Sequence, residues 1–277
     1  MSEATSARPV RVYPSDLRDA EWALIAPHLP PEVGGGRHRS VDLRRVVNAV
    51  LYRLRSGCSW AMLPRDFPPR TTVYEYFAAW RKAGVWERMN ELFRRQVRQA
   101  VGKNAEPTAA ILDSQSVKTT ETPGDRGYDA GKKVNGRKRH VLVDTLGLLL
   151  MVTVTAANVQ DRDGAKPVLA SGKKACPQLQ KVWADGGYAG QLVAWTTTHA
   201  QMELEIVKRS DAAQGFVLLP RRWVVERTFG WLGRYRVFSK DYEKYPQTSE
   251  QEIYLAMSHL MVRRLTKTEQ PKLPCLG

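Results

Sequence analysis

The sequence is poor in cysteine, in negative charge and in long apolar runs, and each shortage narrows what the chain can be. Its three cysteines, Cys58, Cys176 and Cys275, are far apart and in no Cys-x-x-Cys arrangement. That pattern excludes both a disulfide framework and a structural zinc site as the source of stability. No stretch approaches the roughly 18 to 20 apolar residues that a membrane-spanning helix needs, and the N-terminus lacks the charged segment and apolar stretch of a secretion signal. The expectation is a cytoplasmic chain with no membrane partner. The histidines His28, His38, His199 and His259 fall at no metal-ligand spacing. A Gly-x-Ser-x-Gly elbow, a His-Glu-x-x-His pair and a phosphate-binding P-loop are also missing, which removes three common catalytic chemistries. Acids are scarce relative to bases: 28 Asp and Glu face 43 Lys and Arg, a net charge of +15 over 277 residues. A chain this basic is built to meet a polyanion.

What is present divides into two textures. Up to about residue 101 the signals are helical. Ser15-Asp16 caps a segment with Leu17, Trp22, Leu24-Ile25 and Leu29, and Ser40-Val41-Asp42 caps an amphipathic helix running to Gly57. A proline-rich connection then leads to a third helix from Thr71, and Trp86 to Ala100 reads as a fourth. After a polar linker, Gly102 to Pro107, the pattern turns to short apolar strands alternating with helices. Ala109 to Leu112 reads as a strand ending on Asp113. His140 to Asp144 and Leu148 to Thr155 read as a hairpin, Asp163 to Lys173 as a helix, and Lys181 to Ala184 as a strand ending on Asp185. Gly190 to His199, Arg221 to Leu232 and Glu250 to Leu265 read as helices, with a strand at Met202 to Lys208. The order β, β-β, α, β, α, β, α predicts a mixed sheet with helices on its faces. The expected division is a helical domain over 1–104 and an α/β domain over 105–277, two halves able to fold separately.

The candidate chemistry lies in three carboxylates. Asp113 and Asp185 each follow an apolar strand, and the carboxyl ends of parallel strands open onto the functional crevice of an α/β sheet. Glu226 sits in the apolar and aromatic stretch Trp223 to Leu232. Three acids in one crevice repel one another unless cations occupy it. Hard divalent ions held by carboxylate oxygens relieve that conflict and suit in-line phosphoryl transfer.

At these residues the chain resembles the DDE transposases of bacterial insertion sequences, in the "insertion sequence five" group. The resemblance rests on Asp19-Ala20-Glu21-Trp22, Gly57-Cys58-Ser59-Trp60-Ala61-Met62-Leu63-Pro64 and Thr72-Val73-Tyr74 in the first half. In the second half it rests on Leu112-Asp113-Ser114-Gln115-Ser116-Val117-Lys118, Gly136-Arg137-Lys138-Arg139-His140, Asp185-Gly186-Gly187-Tyr188 and Arg222-Trp223-Val224-Val225-Glu226-Arg227. It implies a compact ribonuclease H-like catalytic domain preceded by a small helical, helix-turn-helix-like DNA-binding domain. Asp113, Asp185 and Glu226 become the metal-binding triad, with two Mg²⁺ ions expected and Mn²⁺ able to substitute. The implied partners are double-stranded DNA, as terminal inverted repeats and as target, and a second copy of the chain on paired ends. The implied location is the bacterial cytoplasm, on the nucleoid when DNA is bound. The wider signature of Tyr, two residues, Arg, three residues, Glu, six residues, Lys is met at Arg222 and Glu226 but has Leu219 and Gly233 at its ends. Arg234 stands one residue past the lysine position, about 80° from Glu226 around an ideal helix. A stand-alone metal-dependent nuclease and an inactive, transposase-derived DNA-binding regulator are the alternative readings.

The basic residues are assigned to DNA phosphates. Lys132, Lys133, Arg137, Lys138 and Arg139 read as a loop beside the first acid's strand, and Arg222 shares the Glu226 face one turn away. Arg234 joins them, with Arg44, Arg45 and Arg70 around the N-terminal helices and Thr71 to Arg81 as the recognition-helix candidate. Trp60, Tyr74, Tyr76 and Trp80 are expected to be mainly core.

Overall fold

A computed structural model describes residues 13–31, 40–121, 124–207 and 223–267. The first half is helical as expected: α1 spans Asp19–Ile25, α2 Leu43–Ser56, α3 Arg70–Lys82 and α4 Val85–Ala100. Local chemistry explains the ends. The Asp42 carboxylate accepts the Arg44 amide at 2.8 Å and so satisfies one of the orphan donors that open α2. The helix stops at Gly57, whose φ of 72° is left-handed. Apolar residues at helical spacing, Val46, Val47, Val50, Leu51 and Leu54, form the buried face of α2.

Six strands follow: β1 Ala109–Lys118, β2 Gly127–Asp129, β3 Val134–Asp144, β4 Leu149–Ala156, β5 Lys181–Ala184 and β6 Glu203–Ile206. The helices between and after them are α5 Asp161–Ala175, α6 Gln191–Ala200, α7 Trp223–Leu232 and α8 Pro246–Leu265. They form one sheet in which β2 and β4 both pair with β3, followed by β1, β5 and β6. The β4-β3-β1 side is antiparallel, whereas β1, β5 and β6 are parallel. This mixed sheet, with its first three long strands antiparallel and helical crossovers on the parallel side, is the ribonuclease H-like arrangement.

The two faces of the sheet carry different cores. Leu112, Leu142 and Val182 pack with Ala165, Val168 and Leu169 of α5 and Leu192 of α6. Gly164 lets α5 come that close: a Cβ there would fall 2.2 Å from the His140 ring. On the other face, Ile111, Val141, Val152 and Trp183 join α2, α3, α4, α7 and α8 in one continuous apolar cluster.

The expected boundary at residue 104 falls in the connection from α4 to β1, and the core runs across it. Asn90 of α4 donates to the Leu149 carbonyl at 2.9 Å, and buried Arg98 pairs with buried Asp144 at 2.6 Å. Arg53 of α2 pairs with Glu243 and with Glu252 of α8, so α8 is packed among the N-terminal helices. Trp80 lies in this core at 3% exposure, but Tyr74 on the same helix is 46% exposed. Only part of the aromatic set is therefore internal.

Two strands differ from expectation. β1 does not end on Asp113 but continues five residues further to Lys118. The segment expected as a basic loop, Gly131 to Arg139, becomes the first half of β3 from Val134 onward. The expected helix start at Pro220 and Arg221 lies outside the described residues, as do Arg37, Arg39, Leu219 and Arg222.

Candidate active site

Strand register sets the acid pair. In the parallel pairing of β1 with β5, Ile111 stands opposite Trp183. Asp113 in β1 and Asp185, the residue that follows β5, each come two residues later, at matching positions in this register. Side chains alternate along a strand, which places both acids on the face of Ile111 and Trp183, the side on which α7 and α8 pack. Both are half-buried. Asp113 Oδ1 accepts the Ser114 amide at 2.7 Å. Asp185 Oδ1 accepts the Gly187 amide at 2.8 Å and caps the short turn Gly186–Tyr188. A Cβ on Gly187 would lie 3.0 Å from that oxygen, so the glycine keeps the carboxylate unhindered.

Tyr188, 1% exposed, lies beneath the pair. Burial pushes its phenol well above the usual range, and the charges of Asp113, Asp161 and Asp185 push the same way. The phenol thus stays neutral among three carboxylates. On the α5 side a polar network supports the next residues of β1. Ser114 Oγ donates to Asp161 Oδ1 at 2.9 Å, Lys138 Nζ reaches the same oxygen at 2.8 Å, and Ser116 Oγ donates to Asp129 Oδ2 at 2.6 Å. Burial opposes ionisation of Asp129, yet hydrogen bonds from Ser116, the Lys132 amide and Lys138 hold its carboxyl down at about 2. His140, in the same layer, is pushed down to about 4 by burial and is neutral at pH 7. Asp161 was not singled out in the sequence, because the helix it opens was expected to begin at Asp163.

Glu226 is not gathered with the aspartates. It is exposed on α7, whose buried face is Val224, Val225, Thr228 and Leu232. Its neighbours Arg227 and Thr228 donate to the carbonyls of Leu146 and Gly147, at 2.9 and 2.8 Å, in the β3–β4 turn. That turn follows Asp144, the partner of Ala110, and so lies about 10 Å down the strand from Asp113. Among the described residues, no group of three His, Cys, Asp or Glu side chains is close enough to hold a metal ion. Asp113 and Asp185, at matching positions in the β1–β5 register, are hard oxygen donors of the kind a divalent cation takes.

The basic residues separate into exposed and internal sets, and the internal set corrects the expected loop. Arg137, Lys138 and Arg139 are 1%, 4% and 1% exposed. Arg137 pairs with Asp241 at 3.0 Å and donates to the carbonyls of Asp125, Glu243 and Lys244. Lys138 bridges Asp161 and Asp129, and Arg139 donates to the carbonyls of Phe238 and Lys240. These donors are spent inside the protein and cannot grip DNA phosphates. Lys132 and Lys133 are exposed, and Lys132 Nζ lies 3.2 Å from the Ser114 carbonyl. Arg45, Arg70 and Arg234 are exposed, whereas half-buried Arg44 pairs with Asp19 at 2.7 Å.

The family described as "Transposase DDE domain" matches residues 104–261, more than half of the chain. The chain belongs to the DDE transposase family. A second match, to transposases of the IS4/5 family, covers residues 17–90 of this transposase. An uncharacterized 16.2 kDa protein of insertion element IS402 from Burkholderia cepacia is 32% identical over 125 residues, covering 43% of this chain and 78% of that protein. A protein described as a transposase for IS402 in the same organism is 33% identical over 137 residues; the match covers 46% of this chain and 61% of that protein. Among solved structures, the Mos1 mariner paired-end complex with Mn overlaps at a TM-score of 0.32 and 12% identity, covering 86% of this chain and 80% of that one. At those values the likeness is no guide to the details of the site. Family membership makes DNA the partner of this transposase and a divalent metal its requirement. No helix among the described residues is long and apolar enough to cross a membrane.

Proposed function

We propose that this transposase cuts DNA at the terminal inverted repeats of its insertion sequence and joins the ends to target DNA, with Asp113, Asp185 and Glu226 as the catalytic carboxylates. The observation that carries the reading is the parallel register of β1 with β5, in which Asp113 and Asp185 each stand two residues beyond the Ile111–Trp183 pair. Two Mg²⁺ ions, replaceable by Mn²⁺, when bound supply positive charge for the attacking and leaving oxygens of an in-line phosphoryl transfer. Asp113 and Asp185 hold them from the sheet. Glu226 contributes the third carboxylate, an assignment supported by its motif and by the packing of α7 in the core that also contains Ile111 of β1. The Ser114 and Gly187 amides orient one oxygen of each aspartate. Lys132 and Lys133, exposed beside the strand of Asp113, and Arg222, four residues before Glu226 in the sequence, contact the phosphates flanking the scissile bond.

The helices within 1–104 carry end recognition in this reading, with Arg44, Arg45 and Arg70 at the DNA. Two copies pair two ends, and the protein works in the cytoplasm on the nucleoid. The test is incubation of the purified chain with DNA flanking its own reading frame, with Mg²⁺ or Mn²⁺, mapping nicks and joined products. Nicks at the repeat ends and joined products are expected from the wild type and neither from Asp113→Asn. Nicking without joining would favour a nuclease, and a chain that binds the ends but never cuts would favour a regulator.

A further inference from the structure

We propose that a basic cavity between α1, α2, the end of α7 and α8 is a second grip on the DNA backbone, separate from the acid pair. This rests on the transposase reading and extends it to a surface of which only Arg234 carries a DNA assignment from the sequence. The cavity, about 390 Å³, is lined by Arg18, Arg55, Arg234, Arg263, Arg264 and Lys267, with Glu21 as its one carboxylate among the described residues. Glu21 is 1% exposed and already bonded by Arg18 at 2.9 Å and approached by Arg263 at 3.7 Å. The balance is therefore strongly positive where four separate chain segments converge. Like charges so gathered are costly without an anion. Burial and the nearby charges of Arg227 and Arg234 lower the proton affinity of Arg264, in keeping with that excess.

An aromatic component sits beside the cations. Trp231 lines this cavity and also its apolar neighbour, and the Arg227 and Arg264 guanidinium groups lie over its ring at 4.8 and 4.2 Å. Arg227 also lies 4.4 Å from the ring of Trp223, 38% exposed, one turn earlier on α7. The Arg264 guanidinium is thus held against an indole ring at the cavity wall. None of the residues lining the cavity belongs to the strands that carry the aspartates. In this proposal it holds duplex other than that at the scissile phosphate.

The test measures binding of the full-length chain to a fluorescent 40-base-pair duplex without divalent metal, across a salt series. Arg234 and Lys267 are both exposed, so Arg234→Ala with Lys267→Ala leaves the fold intact, checked by the melting temperature. The double variant is expected to bind roughly tenfold more weakly near 0.1 M salt and to lower the log–log salt slope by about two. Lys103→Ala with Lys174→Ala removes the same charge from exposed positions elsewhere and is expected to leave the slope within about half a unit of wild type. Equal effects in the two double variants, or an unchanged slope in the first, overturns the proposal while leaving the acid-pair reading untouched. A first variant that changes self-association in sedimentation but not the salt slope assigns the surface to a second copy of the chain and overturns it as well. A wild type that binds no duplex at any salt overturns both readings.

Discussion

Lys138→Met separates the two roles open to the basic run of β3. If Lys138 reached into solvent to hold phosphate, its loss would weaken DNA binding and leave stability nearly unchanged. Instead its ammonium is 4% exposed and lies 2.8 Å from Asp161, 3.3 Å from Asp129 and 2.9 Å from the Val159 carbonyl. Removing one partner of a buried ion pair costs about 3–5 kcal/mol, because the remaining charges stay desolvated. The Asp161 side chain is 26% exposed and recovers some hydration, so the lower end, about 3 kcal/mol, is the expected loss. For a chain of this size that corresponds to a melting temperature roughly 6 °C lower. The pH dependence has a definite sign. Asp129 is held down at about 2, so its stabilising contribution is full above the ordinary carboxylate pKa and is lost as pH falls toward 2. The deficit of the variant should therefore shrink between about pH 4 and pH 2. Urea or thermal melts read the stability, and a salt series of duplex binding reads the contact. A variant melting within about 2 °C of wild type, with a salt slope lower by about one, would refute the internal assignment.

Asp113→Asn and Asp185→Asn should each abolish metal-dependent cleavage while holding or raising the metal-free melting temperature. The rise on adding Mn²⁺ should be smaller than in wild type, and cleavage at wild-type rate by either variant would remove that residue from the site. Glu226→Gln should also stop cleavage without changing metal-free stability, since the side chain is exposed on α7; a large drop in melting temperature would instead make Glu226 structural. Burial pushes Glu250 up to about 7, opposed by the Val154 amide, so native protein keeps a proton that the unfolded chain loses near pH 4.5 and stability falls as pH rises between them. Glu250→Gln should therefore match wild type near pH 4 and exceed it by about 3 kcal/mol above pH 7, and a pH-independent difference in urea midpoints would contradict the cause. A fragment ending at residue 104 should fail to melt cooperatively, because Arg53 and the α2–α4 core need α8; a sharp transition would restore an independent helical domain.

Much of the local structure was legible because it is written in neighbouring residues. Asp42 before an apolar stripe and Gly57 after it bound α2, and Val182 to Ala184 of β5 are the apolar run that precedes Asp185. Asp113 and Asp185 could be named from the sequence for the same reason, each standing directly after such a run. Their matching positions could not, since these depend on which residue of β1 faces which residue of β5. Nor could the fate of Arg137, Lys138 and Arg139. A run of like charges reads as solvated unless its partners are known, and Asp241, Asp161 and the Phe238 carbonyl come from distant parts of the chain. The pleat then sends Arg137 and Arg139 to one face and Lys138 to the other, each to its own buried partners. The sequence alone thus determined the helices, the acid-bearing strands and the excess of positive charge, all consequences of short-range pattern and composition. Tertiary structure decided which charges were spent inside and that Arg18, Arg55, Arg234 and Lys267 meet around one cavity, because burial and charge proximity depend on contacts between residues far apart in the chain.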